Sequence, residues 1–247
     1  MDLALGNADL IYPKGSGKTA LFAAGPWIVA KVNGEWRGMI NEFGTEAGPG
    51  GITNGTFEDP QLPEFRTYKV VRYRGDPQDT ARVMRTPAEL AADPALDSLQ
   101  HDSWSAYLAG AAPHGAPVRM HRLPLTATPD PSDSVDVLGP DVLGDEMLWC
   151  VYNDADPARH TITGGKTAPL GVEVRQTFFA VDAPGPLGST LFVRFQILNR
   201  GANALDSLLI GLWNDPDVRS LFDDAFASDS ALALASLLQR PLSRRCL

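Results

Sequence analysis

The 247-residue sequence has few cysteines, fewer basic than acidic residues and no long apolar run. Only Cys150 and Cys246 are present, too few for a disulfide-based scaffold and not spaced as zinc ligands, and the sequence leaves open whether they pair. The 21 basic and 30 acidic residues give a formal charge of −9, which argues against nucleic acid as a partner because its phosphates would be repelled.

No segment approaches the roughly 20 consecutive apolar residues of a transmembrane helix, so we predict no membrane span. The first ten residues also lack the basic and apolar segments of a signal peptide. The sequence by itself therefore predicts a chain with no visible targeting segment.

Known catalytic motifs are also missing. Residues 15–19 resemble the end of a nucleotide-binding P-loop, but Tyr12 occupies the position of its first glycine, and Gly25 and Pro26 would interrupt the helix that such a loop must open. There is no GxSxG or HExxH motif, and Cys150 lies in an apolar run that predicts burial. We expect the four histidines to be solvated loop residues: His101, His114, His121 and His160. We identify no catalytic residue.

What is abundant is turn chemistry and alternating hydrophobicity. The chain has 20 prolines and 23 glycines, and residues 172–180, 191–197 and 205–213 form three strand-like runs, which predict an antiparallel meander. Asn33 and Gly34 lie between two further runs and predict a type I′ hairpin. The predicted fold is all-β, an antiparallel β-sandwich of Ig-like or jelly-roll type with long loops and minor helix.

Helix signals are local. Thr86, Pro87 and Glu89 form a capping-box pattern that predicts a short helix, followed by a turn or two within 95–107. For the domain organisation we predict a single β-sandwich domain over 1–230 with a loop-rich insertion around 75–140. Residues 231–247 are atypical and helix-like, and we interpret them as a truncated or frame-shifted tail.

An acidic motif occurs twice at strand ends. Residues 152–156 resemble residues 213–217, each having an aromatic residue followed by Asn-Asp-x-Asp, and three more acids follow the second copy, Asp223, Asp224 and Asp229. Carboxylate oxygens suit Ca²⁺, although Arg219 and Ser220 break an EF-hand pattern. Structural turns and catalytic carboxylates are the alternatives. The predicted Ca²⁺ ligands are Asp154, Asp156, Asp215, Asp217, Asp223 and Asp224.

Several blocks together resemble a family of uncharacterised secreted or surface proteins of bacteria, which are β-rich and often carry a C-terminal Ig-like or secretion-sorting domain. The blocks are residues 12–20, 22–27 with the hairpin 31–34, 148–156, 169–174 and 212–217. The resemblance implies export and an extracellular or cell-surface location, and it brings no catalytic residues. The chain departs from the family pattern at Val218 and again after Asp229.

The sequence supports two functions. The first is a non-enzymatic module of an exported or cell-surface protein with a structural, adhesive or ligand-binding role, whose partners are other domains of a larger exported protein. The alternative is a carbohydrate-binding module or glycoside hydrolase acting on glycans, which is suggested by the many carboxylates and by five tryptophans: Trp27, Trp36, Trp104, Trp149 and Trp213.

Overall fold

The structure is a computed structural model that describes residues 10–12, 16–17, 19–42, 44–73, 84–94, 96–112, 115–124, 134–162, 164–216 and 224–239. Strands hold 47% of these residues and helices 14%, and the sheets are antiparallel, so the chain is mostly β as predicted. Among these residues no helix has the length and hydropathy that a membrane crossing requires.

The strands are numbered in chain order as β1 Leu10–Ile11, β2 Thr19–Leu21, β3 Ala23–Val32, β4 Glu35–Met39, β5 Gly48–Pro49, β6 Ile52–Thr53, β7 Thr56–Phe57, β8 Tyr68–Val71, β9 Val118–Pro124, β10 Ser134–Pro140, β11 Glu146–Asn153, β12 Val172–Ala180, β13 Phe192–Asn199, β14 Asp206–Asp215, β15 Asp224–Asp229 and β16 Leu234–Gln239. The α-helices are α1 Pro87–Ala92 and α2 Ser98–Leu108, and 3₁₀ turns span Pro63–Phe65, Pro157–Arg159 and Gly185–Ser189.

The chain divides into two compact units, each assembled from separate stretches. Unit 1 comprises Met1–Gly48, Asp154–Gly171 and Gly201–Leu247, and unit 2 comprises Pro49–Asn153 and Val172–Arg200. Pairing between strands that are far apart in the chain produces this division, and sequence periodicity carries no information about such partners.

Unit 2 is organised around the antiparallel strands β13, β12 and β11, with β8 on the far side of β11. The predicted strands 172–180 and 191–197 are confirmed as the hairpin β12–β13. Helix α2 supplies Trp104 and Tyr107 to a buried core that also holds Trp149. Tyr68 lies within 5.7 Å of the Tyr107 ring and 6.1 Å of the Trp149 ring, centroid to centroid.

The predicted insertion at 75–140 is therefore not simply loop-rich, because its described part contributes to this core. Both helices begin with capping boxes, as the sequence predicted for α1 at Thr86. Residues 118–140, which lie within the predicted loop-rich insertion, contain the hairpin β9–β10, paired residue by residue from Val118–Pro140 to Pro124–Ser134.

Unit 1 contains a three-stranded sheet in the order β14-β3-β4. Asn33 and Gly34 have φ values of 52° and 86°, which confirms the predicted type I′ turn between β3 and β4. The predicted three-stranded meander is wrong in its last strand, because β14 pairs with β3 and not with β13. The segment between β13 and β14 is bound to the residue before β12, because the Gly201 amide donates a hydrogen bond to the carbonyl of Gly171 (2.8 Å).

The C-terminal segment also differs from its prediction. Within the helix-like run 231–247, Leu234–Gln239 is a strand that forms a hairpin with Asp224–Asp229. A nearby pairing partner outweighs the helical preference of leucine and alanine, since local propensity is a weak determinant. Residues 240–247 lie outside the described part of the chain.

Candidate functional site

A buried cluster of three ionisable side chains is the most unusual polar feature of unit 1. Glu46 follows β4, Asp154 follows β11, and His160 follows the 3₁₀ turn Pro157–Arg159. The two acidic side chains are fully buried, and the His160 side chain is 2% exposed. Ionised groups at such depth require hydrogen-bond partners, because burial removes their hydration.

Asp154 obtains its partners from the backbone. Its Oδ2 accepts a hydrogen bond from the Leu170 amide (2.7 Å) and its Oδ1 accepts one from the Gly171 amide (2.9 Å). A charged acceptor strengthens such bonds relative to neutral ones. Asp154 thereby fixes residues 170 and 171, where the chain leaves the loop that begins at 160.

Glu46 fixes two other amides in the same way. Its Oε2 accepts from the Ile40 amide (3.0 Å) and its Oε1 accepts from the Lys166 amide (3.2 Å). The carboxylate lies against Gly165, where a Cβ atom would come within about 2.4 Å of Oε1. Glycine at 165 therefore permits the loop to approach Glu46.

His160 lies between the two carboxylates. Its Nε2 is 2.8 Å from the Asp154 carbonyl oxygen, and because a carbonyl only accepts, Nε2 carries the proton and donates. Its Nδ1 is 3.7 Å from Oε2 of Glu46, and within the described residues no hydrogen bond satisfies this nitrogen. The three groups form a buried polar cluster whose hydrogen bonds reach the backbone of residues 154, 166, 170 and 171.

Unit 2 contains one buried carboxylate that also accepts a hydrogen bond from a backbone amide. Glu173 on β12 is fully buried. Its Oε2 accepts from the Ile52 amide (2.9 Å) and its Oε1 accepts from Nε of Arg175 (2.8 Å). This carboxylate is likewise committed to internal hydrogen bonds.

The predicted calcium ligands are only partly described. Asp154 is buried as above, and Asp156 accepts from the Ala158 amide (2.9 Å) as the cap of a 3₁₀ turn. Asp215 ends β14 and is half-buried. Asp217, Asp223 and the side chain of Asp224 lie outside the described residues. Within the part that is described, no three His, Cys, Asp or Glu side chains form a metal-binding group. The Ca²⁺ site stays a prediction.

The histidine expectation is wrong for two of the four residues. His160 is buried, and so is His121, whose Nε2 lies 2.9 Å from the Pro140 carbonyl and whose pKa is lowered, chiefly by burial. His101 lies on α2, half-buried, and His114 falls outside the described residues. Loop composition predicted solvation, but tertiary packing decided it.

Cys150 and the P-loop-like segment agree with their predictions. Cys150 is only half-buried as a residue, yet burial of its thiol raises the pKa to about 12, as expected for an unreactive cysteine. Residues 13–15 and 18 lie outside the described chain, but Thr19–Leu21 is a strand where a P-loop would open a helix.

The tryptophans separate into core and surface positions. Trp104 and Trp149 are buried, and Trp27 donates to the Asn41 carbonyl oxygen (2.7 Å). Trp36 on β4 is 50% exposed, and the Lys31 ammonium lies 5.0 Å from its ring centroid.

The largest apolar side chains on the surface of unit 1 include a run along β14. Leu208 is 44% exposed, Leu209 and Ile210 are each 60% exposed, and Leu212 is 57% exposed. Because alternate residues of a strand point to opposite faces, apolar groups are exposed on both faces of β14.

No family model, curated protein or solved structure matches this chain.

Proposed function

We propose that this chain is a non-enzymatic module of an exported or cell-surface protein, with a structural, adhesive or ligand-binding role. The observation that carries the proposal is the exposed apolar run on β14, since contiguous apolar surface of this kind is typical of interaction sites. The fold proposed with it is an antiparallel sandwich of Ig-like or jelly-roll type, in keeping with the antiparallel sheets.

The use of the buried carboxylates supports a scaffold rather than an enzyme. Glu46, Asp154 and Glu173 each accept hydrogen bonds from backbone amides and are fully buried. A general acid or base must reach its substrate directly or through one water molecule. These three groups are committed to positioning loops.

Export and surface location rest on the resemblance to secreted and surface proteins carried by residues 12–20, 22–27, 31–34, 148–156, 169–174 and 212–217. Other domains of a larger exported protein are the partners that the resemblance suggests. Secretion is tested by expressing the natural full-length gene product and assaying its protease accessibility on intact cells, where protection from added protease would contradict the location.

The alternative function is carbohydrate binding or hydrolysis, and the half-exposed Trp36 favours the binding form. An exposed indole on a strand offers a flat apolar face of the kind on which a sugar ring packs. A glycan array with a glycosidase screen separates the two functions. We expect the glycosidase screen to show no sugar turnover. We also expect no binding signal on the glycan array that is lost in the Trp36→Ala variant. Reproducible turnover would refute the non-enzymatic role.

A further inference from the structure

One face of the sheet β14-β3-β4 is buried where it is formed by β3 and exposed where it is formed by β14. In the register of β14 and β3, Ile210 is paired with Ile28 and Leu212 with Pro26, so the paired residues share a face. Ile28 is fully buried and Pro26 is buried, whereas Ile210 is 60% exposed. The apolar layer that β3 buries continues onto β14 without cover.

The two edges of this sheet differ in whether other residues bind to them. At the β4 edge, the Thr167 hydroxyl accepts from the Gly38 amide (3.0 Å) and donates to the Gly38 carbonyl (3.2 Å), and the Arg37 guanidinium donates to the Pro169 carbonyl (3.2 Å). In the sheet order, β14 has a neighbour on one side only. The 164–170 loop thus closes one edge, and the described part of the chain supplies no strand for the other.

The free edge of β14 exposes backbone groups in a regular pattern. Leu212 is paired with Pro26, which has no N–H, so this pair is a non-hydrogen-bonded pair of the antiparallel ladder. By the alternation of such ladders, the amides and carbonyls of Leu212 and Ile210 are directed away from β3, and the Leu212 carbonyl accepts a hydrogen bond from Nδ2 of Asn214 (3.3 Å) that an added strand would replace. These are the groups to which an additional strand binds.

The usual protection of an edge strand is missing over most of β14. Exposed edges are normally blocked by charged residues, proline or bulges. Here the register shift falls between Asp206 and Leu209, with Ser207 at a φ of 52°, and residues 209–214 contain no charge and no proline. The edge strand β13 of unit 2, in contrast, carries Arg194 in its middle.

The charges around β14 select the class of occupant. Asp206 begins the strand and Asp215 ends it, and the sequence continues with Asp217. Two copies of β14 paired antiparallel about a two-fold axis would place Asp206 of each copy opposite Asp215 of the other, and like charges directly opposite are destabilising. A strand with an apolar centre and basic ends covers the apolar run and places a positive charge beside each of the two carboxylates.

We propose that the free edge of β14 is a strand-addition site for an extended polypeptide segment that is apolar at its centre and carries Lys or Arg at both ends. The segment pairs antiparallel with residues 209–214, covers Ile210 and Leu212, and places its basic ends beside Asp206 and Asp215. This inference rests on the proposed role as an interaction module and names the chemistry of the partner.

The test uses the full chain and two synthetic nine-residue peptides with an alternating Val/Thr centre, one with Lys at both ends and one with Glu at both ends. Fluorescence anisotropy of labelled peptide measures binding. We expect the Lys-ended peptide to bind at least about tenfold more tightly than the Glu-ended peptide, with an affinity that falls as salt is raised. Equal binding of the two peptides would overturn the proposal.

Variants locate the site. Ile210→Lys places a charge of the kind that blocks natural edges on β14, and we expect it to reduce the affinity at least about tenfold. Val193→Lys changes an exposed apolar residue (41%) on β13, the edge strand of the unit 2 sheet, and we expect it to leave the affinity unchanged. Circular dichroism verifies that both variants fold. Loss of binding in both variants, or in neither, would contradict a site on β14.

Two further measurements identify a different occupant. Sedimentation that shows a wild-type dimer abolished by Ile210→Lys, without peptide binding, would overturn the proposal in favour of self-association. Peptide binding that requires deletion of residues 240–247 would show that the chain's own tail occupies the edge. Failure of peptide binding without sugar turnover refutes this partner and leaves the module role standing, whereas sugar turnover refutes the role itself.

Discussion

Replacing Asp154 by alanine tests whether the buried carboxylate holds the 160–171 loop in place. Asp154 is fully buried, and its two oxygens accept from the amides of Leu170 and Gly171 at 2.7 Å and 2.9 Å. Alanine removes both acceptors and leaves two amides without their partner. A buried group left unsatisfied costs about 1–3 kcal/mol, so the expected loss in the free energy of unfolding is about 2–6 kcal/mol.

Asp156→Ala is the matched control, because it makes the same chemical change two residues away. Asp156 accepts one hydrogen bond, from the Ala158 amide, and its carboxylate lies 3.7 Å from Nε of Arg159 on a partly exposed turn. Loss of such a cap costs about 1 kcal/mol. Asp154→Asn retains one acceptor oxygen and should fall between the control and Asp154→Ala.

Two assays separate a local effect from a global one. Urea unfolding gives the change in stability, and in a chain of this length each kcal/mol lowers Tm by about 2–4 °C. Because the chain has two compact units, hydrogen exchange of a peptide covering residues 164–171 is measured as well. We expect that peptide to lose protection in Asp154→Ala and to keep it in Asp156→Ala. If Asp154→Ala is no less stable than Asp156→Ala, the assigned role of Asp154 is wrong.

Two other predictions concern the thiols and the acidic strand ends. Burial raises the pKa of Cys150 from 9.0 to about 12, so the stability that its neutral thiol contributes is present below pH 9 and is lost as the pH rises towards 12. In a Cys246→Ser variant, no thiol should therefore react with a disulfide reagent at pH 8 until the protein is unfolded, and prompt labelling of the native variant would contradict burial of the thiol. For the predicted Ca²⁺ site, millimolar Ca²⁺ should raise Tm by a few degrees relative to chelator, since a tenfold excess over Kd stabilises by about 1.4 kcal/mol. Asp215→Ala should remove most of that rise, and a melt that does not move with Ca²⁺ would exclude the site.

Features that depend on neighbouring residues were predictable from the sequence. The Asn33–Gly34 turn requires two consecutive residues with positive φ, and few residue pairs other than Asn-Gly accept them. The start of α1 was predictable because a capping box is formed by residues three apart. Asn54 and Gly55, with φ values of 53° and 77° between β6 and β7, form a second turn of this kind, and the same residue pair indicates it in the sequence.

The choice of strand partners was decided by tertiary structure. The run 205–213 was correctly identified as a strand, but nothing in its periodicity distinguishes pairing with β13, six residues earlier, from pairing with β3, about 180 residues away. The hairpin β9–β10 was missed because its strands are short, each ends in proline, and they flank a tract rich in Pro, Asp and Thr. Alternation specifies the two faces of a strand and not its neighbour.

The buried cluster of Glu46, Asp154 and His160 was not predictable for the same reason. Glu46 and His160 are 114 positions apart, in segments whose composition predicts solvated loops, and no motif links them. The sequence alone determined the β-rich class, the local turns and the helix starts, because these depend on backbone preferences over a few residues. Only the tertiary structure decided which carboxylates are buried and which strand edge stays open, because burial and pairing depend on contacts between distant parts of the chain.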